Sequence, residues 1–184
     1  MVMIHGFVLV GGRSARMGRD KASVQYPAGN AMAVEVARAM AAHCDDVFMV
    51  CKSRSAHPLL NKTFPMLEEP EGLPFHPLWG VVSALEEIGE EDYAVIAPCD
   101  VPYLGAETVA RMKRMALKGA CSVVAQHGEQ VEPLVMVVRK GELGRARAIA
   151  ERGGSVRDFS AGFQPVELPS GRLKNLNRPE DLSC

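Results

Sequence analysis

The chain has 184 residues, room for one domain over residues 1–184 and too little for two independent cores. A hydrophobic share of 47% and a charged share of 23% are ordinary for a globular protein, so a core can be built without disulfide or metal staples. The formal net charge of -1 argues against a broad basic face for nucleic acid and against a polybasic membrane patch.

Residues 4–10 are short, apolar and β-branched, which predicts a buried strand ended by Gly11 and Gly12. Asn30 is a good N-cap for a helix running to about His43. Residues 47–51 predict a second buried strand, residues 52–62 a loop or short helix, and residues 64–67 a short third strand. The three prolines and one glycine of residues 68–77 predict a surface loop. Helical spacing then covers residues 78–88, with Gly80 as an exception that asks for a reason. Residues 93–97 predict another buried strand, followed by a helix over about 105–118. Strands are expected at 121–125 and 134–139, a helix around 142–152, a short strand near 163–168 and a last helical turn at 178–182. Continuous apolar strands alternating with amphipathic helices indicate an α/β fold, a mostly parallel sheet covered on both faces. Ligands in such sheets sit beyond the carboxyl ends of the strands.

Five cysteines, Cys44, Cys51, Cys99, Cys121 and Cys184, form no C-x-x-C pair, which suits a reducing compartment. Residues 1–6 lack the features of a signal peptide, and no run approaches the length of a membrane-spanning helix. A soluble cytoplasmic protein is therefore expected.

The segment after the first strand joins Gly11 and Gly12 to Arg13, Arg16, Gly18, Arg19 and Lys21. Glycine lets a ligand approach the backbone, so successive N–H groups can converge on an anion. Arginine and lysine at this density can neutralise a triphosphate. Gly18 is not followed by Lys-Ser/Thr, so this is no P-loop, and Gly11-Gly12-Arg13 gives no dinucleotide fingerprint. Asp100 follows a buried strand between Pro98 and Pro102 and projects at the same sheet edge. A carboxylate there suits a magnesium ligand, which is usually completed by substrate phosphates and water. Capping the next helix or closing a turn is the other reading of Asp100. The five histidines show no ligand spacing, and Trp79 either fills the core or stacks on a bound ring.

Taken together these pieces resemble the molybdenum cofactor guanylyltransferases, the MobA family of nucleotidyltransferases. That family's first motif is matched by Leu9-Val10-Gly11-Gly12 and by Arg16-Met17-Gly18-Arg19-Asp20-Lys21. Its Cys-Asp-x-Pro-Tyr/Phe is Cys99-Asp100-Val101-Pro102-Tyr103, and its closing motif is Asn175-Leu176-Asn177-Arg178-Pro179-Glu180-Asp181-Leu182. The central Gly-Pro-Leu-Ala-Gly is approximated by His76-Pro77-Leu78-Trp79-Gly80. Glu69 stands nearest to the family's usual aspartate, and Lys52 stands where members often have asparagine.

The resemblance implies a three-layer Rossmann-like nucleotidyltransferase fold that transfers GMP from GTP to the terminal phosphate of molybdopterin. Arg16, Lys21 and Asp100 would be catalytic, with Mg²⁺ on Asp100. Leu9, Val10, Gly11, Gly12, Arg16, Lys21, Glu69 and Asp100 would bind the nucleotide. Arg157, Asn175 and Asn177 would serve the second substrate, although Arg157 reads equally well as a surface arginine on a helix. The implied partners are GTP, molybdopterin and, transiently, proteins that deliver or accept the cofactor. The implied state is a monomer away from nucleic acid and membranes. The rival readings are a cytidylyl- or sugar-nucleotide-forming relative and a nucleotide-binding regulator without turnover.

Overall fold

The structure, a computed structural model, describes residues 1–10, 31–58 and 60–176. Within them lie the strands β1 (Ile4–Leu9), β2 (Asp46–Cys51), β3 (Met66–Glu68), β4 (Tyr93–Pro98), β5 (Val123–His127), β6 (Gln130–Arg139) and β7 (Gln164–Glu167). The helices are α1 (Met32–Ala41), α2 (Pro77–Glu87), α3 (Ala106–Gly119), α4 (Leu143–Glu151) and α5 (Val156–Ser160). The strands form one sheet in the order β3-β2-β1-β4-β6-β5-β7. Only β6 runs against the rest: it is antiparallel to both β4 and β5, and every other pairing is parallel. This is the α/β sheet, mostly parallel, that the alternating pattern called for.

Residue parity decides which side of the sheet each apolar group covers. Along β1 and the residue after it, Ile4, Val8 and Val10 join the core under α1 and α3, while Phe7 and Leu9 join the core under α2, α4 and α5. β4 divides in the same way, Val95 and Ala97 to one side and Ala94 and Ile96 to the other. Both faces are thus buried, which makes three layers. Gly6 belongs to the α1 side, and a Cβ there would lie 3.0 Å from Val47 Cγ2 and 3.1 Å from Met40 Cβ. Its bare backbone lets α1 settle onto β1.

The differences from expectation lie at element ends. α1 is capped at Ala31, with no side-chain cap bond, rather than at Asn30, which lies outside the described residues. β5 begins at Val123 rather than Cys121, and β6 begins at Gln130, four residues ahead of Leu134. Pro133 lies within β6 and has no N–H to give the ladder. The register slips there, so Val124 faces Met136 while Ala125 faces Glu132. Residues 52–62 contain two 3₁₀ turns, Arg54–Ala56 and Leu60–Lys62. α5, which the hydrophobic spacing did not announce, is set by a capping box: Ser155 Oγ accepts from Asp158 N, and Asp158 accepts from Ser155 N. The expected turn at 178–182 lies outside the described residues.

Candidate active site

The carboxyl ends of four parallel strands meet along one edge. Leu9 pairs with Val50 on one side and with Pro98 on the other, and Cys51 pairs with Glu68. Just past the strand ends, Val10 N donates to Val50 O at 2.9 Å and Cys99 N donates to Leu9 O at 3.2 Å. The chain therefore leaves β1 directly beside the Cys99-Asp100 turn. Leu9 and Val10 are buried at that point. Gly11, Gly12, Arg16, Lys21 and Asn177 lie outside the described residues.

Between β1, the end of β2 and the start of α2 lies a cleft lined by Leu9, Lys52, Glu69, Phe75, Pro77 and Gly80. Pro98 and Leu134 also line it. Glu69 is buried, held by its N–H to Cys51 O at 2.8 Å. Its carboxylate lies 2.7 Å from Lys52 Nζ. The helix that forms the opposite wall starts with Pro77 at its first turn, and His76 Nδ1 accepts from Leu78 N at 3.2 Å. His76 is thus the N-cap of α2. Gly80 now has its reason: a Cβ there would lie 3.1 Å from Leu9 Cδ2 and 3.5 Å from Glu69 Oε1. Trp79 is packed into the core under α2, which decides its role as filling rather than stacking.

Asp100 is half-buried on the turn after β4, and its carbonyl accepts from Leu176 N at 2.9 Å. That bond brings the C-terminal segment back to the sheet edge. Asn175 then donates through Nδ2 to Glu132 Oε2 at 3.0 Å, while Asn175 Oδ1, shut from solvent, has no hydrogen-bond partner among the described residues. Burial pushes the Glu132 carboxyl up; the Asn175 bond opposes this, and the nearby charge of Asp100 adds to the rise. Arg157 also acts on Glu132, in the opposite sense to Asp100. Glu132 is therefore the group on which Asp100, Asn175 and Arg157 each act. Glu132 is the residue that sequence reasoning missed, because it falls ahead of the expected start of its strand.

Arg157 and Asn175 do not share a pocket. Arg157, exposed on α5, lines an open hollow of about 410 Å³ with Gln126, Gln130 and Phe163. Asn175 lines another, of about 350 Å³, with His127, Gln130 and Lys174. Both hollows border Gln130, at the start of β6.

Among the described residues no cluster of three or more His, Cys, Asp or Glu side chains has the form of a metal cage. The oxygen donors of Asp100, Asn175 and Glu132 nonetheless suit a hard cation that keeps water and substrate oxygens in its shell. The buried, unpartnered Asn175 Oδ1 is the observation that favours this fit. Cys51, at the same edge, has its thiol pushed up to about 11 by burial, with Glu68 adding to the rise, so near pH 7 it is no nucleophile. Nor does a helix long and apolar enough to cross a membrane occur among the described residues.

The chain matches known proteins along nearly all of its length. It is 30% identical over 188 aligned residues to a probable molybdenum cofactor guanylyltransferase of Mycobacterium ulcerans, covering 98% of this chain and 92% of that one. A probable molybdenum cofactor guanylyltransferase of Rhodopirellula baltica is 27% identical, with 96% and 89% covered. The crystal structure of molybdopterin-guanine dinucleotide biosynthesis protein A from Archaeoglobus fulgidus superposes with a TM-score of 0.79 at 19% identity, over 97% of this chain and 95% of that chain. The profile of the MobA-like NTP transferase domain matches residues 6–166. With most of its length inside that profile, the chain belongs to the MobA-like NTP transferase family.

Proposed function

We propose that the protein transfers GMP from GTP to the terminal phosphate of molybdopterin, in the cytoplasm, during molybdenum cofactor biosynthesis. The observation that carries this reading is the meeting of the ends of β1, β2 and β4 with Glu69 and Asp100 in a family whose similar members are molybdenum cofactor guanylyltransferases. Among the described residues Cys44, Cys51, Cys99 and Cys121 are thiols rather than disulfides, which supports a reducing compartment.

A phosphate monoester has its second pKa at about 6, so near pH 7 the attacking oxygen is already mostly ionised and needs no general base. That oxygen attacks the α-phosphorus of GTP; the bond from the α-phosphorus to the bridging oxygen breaks, and pyrophosphate leaves with the electron pair. Positioning and charge neutralisation are the demands of such a step. Leu9, Val10, Gly11 and Gly12 receive the nucleoside through backbone groups, with Glu69 on the base. Asp100 would hold Mg²⁺, and Asn175 and Asn177 would serve the second substrate. Mg²⁺ bound there would supply charge neutralisation for the nucleotide phosphates. Arg16 and Lys21 stabilise charge on the leaving pyrophosphate, and Arg157 receives the anionic end of the second substrate. Asp100 and Arg157 both act electrostatically on Glu132, which supports placing the second substrate near this edge.

The test is pyrophosphate release with GTP, Mg²⁺ and molybdopterin. Asp100→Asn should lower kcat about a hundredfold or more with the fold intact by circular dichroism. Efficient turnover with CTP but not GTP would overturn the guanylyl assignment, and binding of GTP without pyrophosphate release would favour a regulator.

A further inference from the structure

The strand that carries Glu132 breaks step beside it. Val124 faces Met136 but Ala125 faces Glu132, so residues 133–135 pass without a partner on β5. Pro133, which has no N–H for a ladder, is among them. Irregularities of this kind re-aim a side chain next to a binding edge. Here the carboxylate is brought onto the C-terminal segment, 43 residues further along the chain. That segment lies across the turn after β4: Leu176 N donates to Asp100 O at 2.9 Å, and Arg172 Nη1 donates to Tyr103 O at 3.4 Å. Glu132 thus ties β6 to Asn175, the residue directly before the Asp100 contact.

The tie also fixes the sense of the amide. An ionised carboxylate only accepts, so the Asn175 group that meets Glu132 Oε2 at 3.0 Å is the NH2. Oδ1 is left as the unused end, buried and with no hydrogen-bond partner among the described residues. An acceptor kept from water and unpaired is costly, and a ligand that brings a donor removes the penalty. Asn175 also lines the hollow of about 350 Å³ that His127, Gln130 and Lys174 share. A cation or an N–H or O–H group can meet such an oxygen. With Mg²⁺ assigned to Asp100 and the nucleotide phosphates, the donor is what the second substrate has to supply. A doubly ionised phosphate offers acceptors alone, whereas a pterin ring carries N–H donors. Arg157, the cation for the anionic end, lines the other hollow.

We propose that Glu132 is a positioning residue for the second substrate: it holds the Asn175 amide by its NH2 and so presents Oδ1 to an N–H donor of that substrate's ring. This rests on the reading of molybdopterin as second substrate. It adds a residue that acts through Asn175, and it assigns Asn175 to the ring rather than to the phosphate.

The experiment uses the full-length protein. It follows pyrophosphate release with GTP, Mg²⁺ and molybdopterin, and separately the binding of a pterin without phosphate, read by its fluorescence. Glu132→Ala should raise the KM for molybdopterin about tenfold or more and weaken the free pterin in parallel, with the Kd of GTP kept within about twofold. A merely structural role would move GTP and molybdopterin together. Glu132→Gln, which keeps an acceptor, should stay near wild type. Asn175→Asp sets two carboxylates against each other and should lose as much as Glu132→Ala. Combining Glu132→Gln with Asn175→Asp reverses donor and acceptor and should recover most of that loss; this pair of proteins replaces Glu132→Ala if that variant loses its melting transition. A Glu132→Ala protein with an unchanged KM for molybdopterin, or one that weakens GTP as much, overturns the positioning role while the reaction stands. Pterin that fails to bind the wild type, or that binds Glu132→Ala equally well, overturns the assignment to the ring. A wild type that releases no pyrophosphate overturns the reaction itself, and pterin binding then still decides the role of Glu132.

Discussion

At the foot of the sheet, on the side away from the candidate site, Asp92 gathers several groups at once. It accepts from Met3 N at 2.8 Å and from Gly89 N at 3.1 Å, and it lies 3.4 Å from His5 Nε2, whose other nitrogen is 2.7 Å from Asp46. The Met3 bond leads the effects that hold the Asp92 carboxyl below its usual range; His5 and Gly89 add to it, and burial opposes. The folded value lies below the unfolded one, so the contribution is complete above the unfolded value, about 3.9, and is lost as pH falls through the folded value. Asp92→Asn should accordingly flatten the acid side of the curve of Tm against pH, a change that a melting series from pH 6 to pH 2 would register. Single residues differ in how plainly the sequence speaks for them. Asp100 was legible because it follows a buried strand between two prolines. Glu132 was not, since its partner Asn175 lies 43 residues away and only the fold joins them.

Helix α2 shows how an element is held at both ends by residues from elsewhere. Its start is closed by Pro77 and the His76 side chain. Its end is closed by Lys140, whose buried Nζ donates to Leu85 O at 2.7 Å and Ile88 O at 2.9 Å. Carbonyls at a helix C-terminus lack partners within the helix, and a cation there also suits the helix dipole. Lys140→Met leaves those carbonyls buried and unpaired, so stability should drop by about 3 kcal/mol, measured as the midpoint shift in urea unfolding. On the same helix, Gly80→Leu places a side chain into the cleft against Leu9 and Glu69. The expected result is a nucleotide KM raised at least about tenfold with kcat much less affected, because the change obstructs binding ahead of chemistry. The helix itself was legible from its apolar spacing, whereas its caps were not: Lys140 is 52 residues beyond Ile88.

For the whole molecule, the sheet brings together segments far apart in the chain: β1 pairs with β2 and β4, and Leu176 returns to Asp100. A ligand that binds only this assembled edge should stabilise the entire fold by mass action. GTP with Mg²⁺ at a hundredfold excess over Kd should add about 2.7 kcal/mol, seen as a rise in Tm of several degrees in a thermal scan. CTP at the same concentration should add far less. The sequence by itself determined the α/β class, most of the helices and strands, and the placement of Asp100 after a buried strand, because apolar periodicity and turn residues act locally. Only the tertiary structure decided that β6 runs against its neighbours, with its register slipping at Pro133. Likewise it joined Lys52 to Glu69 and Asn175 to Glu132, and assigned Arg157 and Asn175 to different hollows. Those outcomes depend on contacts between residues distant in sequence, and such contacts exist only once the core has packed.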